Sequence, residues 1–164
     1  MKALTHAHEG DLVVFNIGMT IRRPHRLDLW VPVFAAMPPM LAELYRNKAA
    51  AAAGTAPDLG FLGATTLLGA KGPWVTQYWR SVEHLYAYAH DAEHAHVPAW
   101  RAFNRAARKH PEGVGIWHET YVVPAGGVET MYANGAVTGL GAATGVIEAS
   151  RGQGARERLG STAA

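Results

Sequence analysis

The chain has 164 residues, a length that predicts one domain at roughly 100–200 residues per domain. Hydrophobic residues make up 49% of it, which is enough for a packed core. The 15 basic and 13 acidic side chains leave a formal net charge of +2, so no basic patch supports nucleic-acid binding. There is no cysteine, which excludes disulfides, iron–sulfur clusters, thiolate metal sites and a cysteine nucleophile.

The start of the chain, MKALTHAHEGD, is polar and carries acidic side chains, so it does not resemble a signal peptide. No stretch reaches about 18 consecutive apolar residues, the length that a membrane-spanning helix needs. We therefore expect a cytoplasmic protein that has no membrane partner.

The first half of the chain predicts a loose arm, a strand and a long helix. The arm covers residues 1–10, and apolar side chains on both faces of residues 11–19 predict a central strand. Helical spacing of apolar residues continues over 25–47. Pro38 and Pro39 predict a break or kink that divides this helix into two pieces.

A hairpin follows, because residues 61–68 and 73–80 both read as strands and a glycine-containing tight turn joins them. Ser81 is a suitable N-cap for a helix over roughly 82–90. The last clear strand is 114–123, in which alternate residues share a face.

A further helix is predicted from about Pro98 to Lys109, between the helix at 82–90 and the strand at 114–123. The order β-α-β-β-α-β is the ferredoxin-like α+β pattern, with an antiparallel sheet and helices on one side. The uncovered sheet face predicts a homodimer in which two sheets face each other. We expect this domain to cover 1–134, and the glycine- and alanine-rich residues 135–164 to form a mobile tail.

Three stretches of the sequence are long and rich in uncommon residues: YWRSVEHLYAYAHDAEHAHVPAWRAFNR at 78–105, GVGIWHETYVVPAGGVETMYAN at 113–134, and the opening segment 11–44. Together they resemble a bacterial monooxygenase-like family of unknown function. The resemblance covers about residues 8–140 and implies the dimeric α+β barrel fold. Family members usually continue with Asn-Met-Pro near residue 134. Here Asn134 is followed by glycine and alanine, which leaves the C-terminal edge of any pocket open.

Residues 78–123 are also similar, more distantly, to haem-containing aldoxime dehydratases. The shared features are a strand ending in Trp-Arg-Ser, a helix opened by a His-Val step, and a strand carrying Trp-His-Glu. This resemblance implies that His96 is the proximal ligand of a haem b and that His118 is the distal acid–base group. That family also holds its aldoxime with an arginine and a serine. The strand at 15–18 has neither, so haem binding transfers better than aldoxime dehydration.

A flat macrocycle needs a wide apolar cavity beside its ligand. Met37, Met40, Trp100 and Phe103 are the side chains expected to line it. His94 is a rival to His96 as the iron ligand, since it lies only two residues away.

Two further polar residues are candidates for the site. Asn16 is the one polar side chain of its strand, and related enzymes of this fold hold oxygenated groups at that position. Arg80 ends a strand, where it meets a propionate or carboxylate of a ligand or pairs with Glu83 at the surface. The i, i+4 pair His90 and His94 suggests a metal site, but the start of a new segment at Asp91 favours exposed histidines.

The leading hypothesis is a homodimeric haem enzyme, monooxygenase-like or dehydratase-like, that acts on a small organic substrate. His96 would hold the iron and His118 would move protons. The alternatives are a cofactor-free monooxygenase that depends on His118 or Asn16, and a dimer that binds a small ligand without catalysis.

Overall fold

The computed structural model describes residues 3–91, 103–104, 108, 110–149 and 154–159. Within these ranges the elements are β1 (Leu4–His6), β2 (Leu12–Ile21), α1 (Leu27–Ala52), β3 (Phe61–Gly69), β4 (Gly72–Trp79), α2 (Val82–His90), β5 (Val114–Val123), α3 (Gly139–Thr144), β6 (Val146–Glu148) and α4 (Ala155–Arg158).

The four long strands form one antiparallel sheet in the order β3-β4-β2-β5. This order places the first strand of the motif, β2, beside the last, β5, as the split βαβ pattern requires. The ferredoxin-like α+β fold predicted from the sequence is therefore confirmed. The predicted hairpin turn lies between β3 and β4, and the side chain of Ser81 caps α2 by accepting the backbone N–H of His84.

The main core lies between the helices and one face of the sheet. Trp79 is at its centre with no exposed surface, and its ring contacts those of Phe61 and Tyr88 at centroid distances of 5.4 and 5.7 Å. Within α1, all of which is described, only Leu44 is buried, and it packs into the same cluster. The C-terminal half of α1 is thus anchored on the sheet.

The break expected at Pro38 and Pro39 is wrong, because α1 is one helix from Leu27 to Ala52 and contains both prolines. A proline ring fixes φ near the helical value, so its main costs are a lost N–H hydrogen bond and a clash with the preceding turn. Both prolines are exposed on α1, where neighbouring side chains do not constrain the adjustment of that turn.

Residues 139–148 are ordered, although the sequence analysis places them in a mobile tail. Leu140 of α3 packs with Leu12 and Leu62 on the sheet face opposite the main core. β6 pairs with β1, so part of the predicted loose arm is a strand as well. The side chain of Lys48 connects the layers, because its Nζ donates to the carbonyl oxygens of Leu62 and, at 2.8 Å, of Ala143.

Candidate functional site

A cavity of about 500 Å³ lies between the N-terminal half of α1 and the helix-facing side of the sheet. Its walls are mostly aliphatic, aromatic and thioether side chains. Among the described lining residues, only Asp28 and Thr66 carry a carboxylate or hydroxyl group. Met37, Met40 and Phe103 line the cavity as predicted, whereas Trp100 lies outside the described residues. A volume and lining of this kind suit a small apolar organic molecule.

One row of paired residues crosses the sheet beneath the cavity. Thr66 of β3 pairs with Val75 of β4, Val75 with Ile17 of β2, and Ile17 with His118 of β5. Directly paired residues of an antiparallel sheet point to the same face. His118 therefore shares the cavity's side of the sheet, one strand spacing from Ile17. At about 4.8 Å per strand spacing, the backbones of Thr66 and His118 are roughly 14 Å apart.

His118 is not itself among the described lining residues, but it lies beside two of them on the same face of the sheet. Ile116, two residues earlier on the same face, is one of the lining residues. The ring centroid of His118 is 5.8 Å from that of Phe15, and the imidazole is exposed. An accessible imidazole beside an apolar hollow can exchange protons with a bound molecule.

Asn16, the other predicted catalytic residue, does not face this cavity. It pairs with Thr76 on one side and Glu119 on the other, so its side chain leaves the opposite face of the sheet. There its Oδ1 accepts a hydrogen bond from the Thr76 hydroxyl at 2.7 Å. Its polarity is explained by this cross-strand contact.

Arg80 is also outside the cavity. Its Nη2 pairs with the carboxylate of Asp58 at 2.9 Å, rather than with Glu83 or a ligand. At about 3.3 Å per residue, Arg80 is roughly 17 Å along the strand from Val75, the last residue of β4 in the cavity wall. Arg80 thus lies away from this cavity, and its contact with a ligand carboxylate or propionate stays a prediction.

The predicted iron ligand, His96, and its rival, His94, lie outside the described residues. His90 is described: its Nδ1 donates to the carbonyl oxygen of Tyr86 at 2.8 Å, one turn earlier in α2. Across the described part of the chain, no three His, Asp or Glu side chains come together as a metal site would require.

The described lining of the cavity lacks the side chains that usually hold haem b. It contains no histidine or tyrosine, so its thioethers, including those of Met19 and Met37, are the only axial donors it offers. It also contains no arginine or lysine that would pair with a propionate. These described residues fit an uncharged apolar guest and do not fit haem b.

Sequence reasoning missed the two polar lining residues. Thr66 was recoverable, since pairing outward from the predicted hairpin turn places it opposite Val75. Asp28 lies in the first turn of α1, and both of its carboxylate oxygens accept hydrogen bonds from Arg26 at 2.7–2.8 Å. Hydrogen bonding to Arg26 lowers the pKa of Asp28, so this carboxylate stays ionised beside the cavity.

The sequence profile of the monooxygenase af470-like family matches residues 12–140. The chain belongs to this family. Monooxygenase af470 of Aspergillus fumigatus is 29% identical over 142 residues, which cover 79% of this chain and 46% of that protein. The chain thus spans about half the length of this curated relative. The matched region contains the cavity walls of α1 and the sheet, together with His118.

Two solved structures are similar to the chain, and one of them resembles it in fold. An aldoxime dehydratase superposes with a TM-score of 0.53 at 15% identity, covering 99% of this chain and 43% of that one. The other is a conserved protein of unknown function from Bacteroides thetaiotaomicron, described as a possible oxidoreductase. It gives a TM-score of 0.45 at 11% identity, and the match covers 68% of this chain and 97% of that one. The first likeness agrees with the α+β architecture.

Proposed function

We propose that the chain is a small monooxygenase that oxidises an electron-rich aromatic substrate in the cavity between α1 and the sheet. The observation that carries this proposal is an apolar hollow of about 500 Å³ together with the exposed imidazole of His118, which lies on the same face of the sheet beside the lining residues Ile17 and Ile116. Membership of a monooxygenase family supports it. As predicted from the sequence, we place this activity in the cytoplasm.

The reaction requires no reductant beyond the substrate itself. A phenol with hydrogen on its para carbon reacts with O₂ to give a quinone and water, and the atoms and electrons of this conversion balance. A base takes the phenolic proton, electron density passes from the ring to O₂, and a C–O bond forms at the para carbon. Loss of the proton on that carbon, with cleavage of the O–O bond, releases water.

In this scheme His118 takes the phenolic proton and later returns a proton to the departing oxygen. General acid–base catalysis by a positioned imidazole contributes typically about 10²–10⁴-fold to a rate. The hydroxyl of Thr66, at the other end of the residue row, binds a polar group of the substrate. The roughly 14 Å between the two backbones suits a flat fused-ring molecule with a polar group at each end.

The test measures oxygen uptake by purified protein with an electron-rich naphthol-type phenol. We expect colourless protein to consume one O₂ per phenol, and one oxygen atom of the quinone to come from isotopically labelled dioxygen. His118→Gln lowers the rate at least about 100-fold. Glu119→Gln, at the next residue but on the other face, is the matched control and keeps the rate. A His118→Gln enzyme of full activity contradicts the proposal.

The haem-dependent alternative is separated by an absorption spectrum of protein produced with ample haem precursor. It requires His96 as the iron ligand. A Soret band that His96→Ala abolishes, together with activity only in the coloured protein, would replace the present proposal. The non-enzymatic alternative predicts tight binding of the phenol without oxygen uptake.

A further inference from the structure

The outward face of α1 is unusually apolar for a surface helix. Every residue of α1 is described, and the exposed positions between Asp28 and Arg46 include no charged side chain: Val31, Pro32, Phe34, Ala35, Pro38, Pro39, Ala42 and Tyr45. Leu27, Val31 and Phe34 form a stripe at helical spacing with exposures of 56%, 40% and 44%. Phe34 also lines the cavity, so the stripe runs from the start of α1 to the cavity wall. A helix that faces water normally carries charged residues on that side. An apolar stripe of this kind marks a contact surface.

The length and composition of α1 also indicate that its outward side is a contact surface. Its 18-residue window reaches a mean hydropathy of 1.3, and only 6% of that window is buried within the protein. By these two properties alone the helix could cross a membrane. It does not leave the domain, however, because Leu44 anchors its C-terminal half in the main core. A helix held on the protein surface with its apolar side outward is suited to lie along a bilayer instead.

Positive charge accumulates where the stripe begins. Arg22, Arg23 and Arg26 precede α1, and Lys71 in the β3–β4 turn is joined to the same place by the hydrogen bond from Ile21 N–H to its carbonyl oxygen at 2.8 Å.

Two carboxylates offset part of this charge. Asp28 pairs with Arg26, and Glu112 lies 3.8 Å from Arg23. The Arg22 guanidinium instead donates to the carbonyl oxygen of Pro111. Among the described residues no carboxylate forms an ion pair with Arg22 or Lys71. This end of the molecule is therefore net cationic, and Leu68 on the same hairpin is 87% exposed.

We propose that the α1 face, defined by Leu27, Val31 and Phe34 with the adjacent arginines, binds the surface of an anionic lipid bilayer. The arginines and Lys71 would meet lipid phosphate and carboxylate groups while the stripe enters the interfacial region. Because α1 is also a wall of the cavity, apolar molecules dissolved in the bilayer gain a short path into the site. No membrane partner is predicted from the sequence, because periodicity does not show which side chains of this helix are exposed in the fold.

Vesicle co-sedimentation tests the proposal without reference to any reaction. The probes are vesicles of pure phosphatidylcholine and vesicles containing about one third phosphatidylserine. We expect the protein to sediment with the anionic vesicles, and binding to fall at least tenfold in high salt because charge attraction is screened. Failure of the wild-type protein to sediment with anionic vesicles overturns the proposal.

The decisive variant is Leu27→Asp/Val31→Asp, since both side chains are exposed and neither lines the cavity. It lowers binding at least tenfold, whereas the matched control Ile147→Asp, at a 55% exposed apolar residue of β6, retains it. Circular dichroism checks that both variants fold. An equal loss in both variants contradicts the assignment to α1.

The competing occupant of this face is a second copy of the chain. If the double variant changes the sedimentation-velocity mass in the absence of lipid while anionic vesicles bind neither protein, the face is a contact between copies and the bilayer proposal is wrong. An Arg22→Gln/Lys71→Gln variant that binds anionic vesicles as tightly as the wild type also contradicts it.

Discussion

Asn16 and His118 lie on adjacent strands one position out of register, so their side chains leave the sheet on opposite faces. Asn16 pairs with Glu119, and His118 pairs with Ile17. The two residues named together as catalytic candidates are thus separated by the sheet itself. His118 remains with the cavity, whereas Asn16 lies on the face that α1 does not cover.

Filling the cavity should weaken ligand binding without loss of folding. Ala36 lines the cavity, whereas Ala35, the preceding residue, is exposed on the outer side of α1. Ala36→Phe places an aromatic ring in the space that a ligand would occupy, so we expect the Kd for the naphthol-type phenol to rise at least tenfold, or about 1.4 kcal/mol.

Fluorescence titration of the two variants measures this effect. Ala35→Phe serves as the matched control and should bind the phenol as the wild type does. If both variants bind with unchanged affinity, the phenol occupies another place.

The sheet face that carries Asn16 should form a homodimer. α3 covers one part of it, while the Trp74 and Trp117 rings, 6.4 Å apart, remain on another part with Tyr121. Tyr121 is 50% exposed, and an arginine placed there would bring a long charged side chain from each copy into a two-fold interface.

Analytical ultracentrifugation should therefore show a dimer that Tyr121→Arg dissociates, with at least a tenfold higher Kd. Val122→Arg, at the neighbouring 66% exposed residue on the other face, should leave the dimer intact. A monomeric wild-type protein would contradict the prediction.

The sequence predicts those features of the fold and the site that depend on neighbouring residues. It does not predict those that depend on contacts between residues far apart in the chain. Strand alternation correctly placed His118 and Asn16 on faces of β5 and β2, because side-chain direction is a local property. It did not show that Asn16 and His118 lie on opposite faces of the sheet, because this depends on how β2 pairs with β5, about 100 residues later in the chain. The pairing of Arg80 with Asp58 was missed because it also depends on how the chain folds back on itself, although the two residues are closer in sequence.

The tail was misjudged because its composition is rich in glycine and alanine, which normally favours disorder. Gly141 shows why small residues are needed there: an added Cβ would lie 2.5 Å from the Tyr132 ring. The Tyr132 hydroxyl also accepts the backbone N–H of Gly141 at 2.8 Å. Close packing of a backbone against an aromatic ring leaves no hydrophobic pattern in the sequence.

Truncation of Leu44 should produce a large loss of stability. Its side chain is 1% exposed among Phe61, Trp79 and Leu85, so Leu44→Ala creates a cavity in the main core. Buried leucine-to-alanine changes cost about 2–5 kcal/mol, and we expect the free energy of unfolding to fall by this amount in urea titrations.

Leu68→Ala is the comparison, since this leucine is 87% exposed and its truncation should change stability by less than about 0.5 kcal/mol. Equal effects at the two positions would show that α1 is not anchored through Leu44.

Acid should loosen the contact of β1 with the 127–138 loop through His6. Burial, with a further contribution from His8, lowers the pKa of His6 from its ordinary value of 6.5. The folded state therefore binds this proton less readily than the unfolded state. His6 contributes its full stability above about pH 6.5, and this contribution is lost as pH falls through the lowered folded-state pKa.

Thermal unfolding at pH 7.5 and near pH 5 measures this contribution. The wild type should lose more Tm between these conditions than His6→Gln, which cannot take up the proton. A variant whose Tm falls as steeply as that of the wild type would assign the acid sensitivity to other groups.

The docking of α3 affects how the chain may be shortened. An expression plasmid that stops at residue 134, where the sequence suggests a natural end, would uncover Leu12 and Leu62 and remove the strand that holds β1. The shortened protein would expose hydrophobic surface and the unpaired edge of β1. We expect it to aggregate in inclusion bodies.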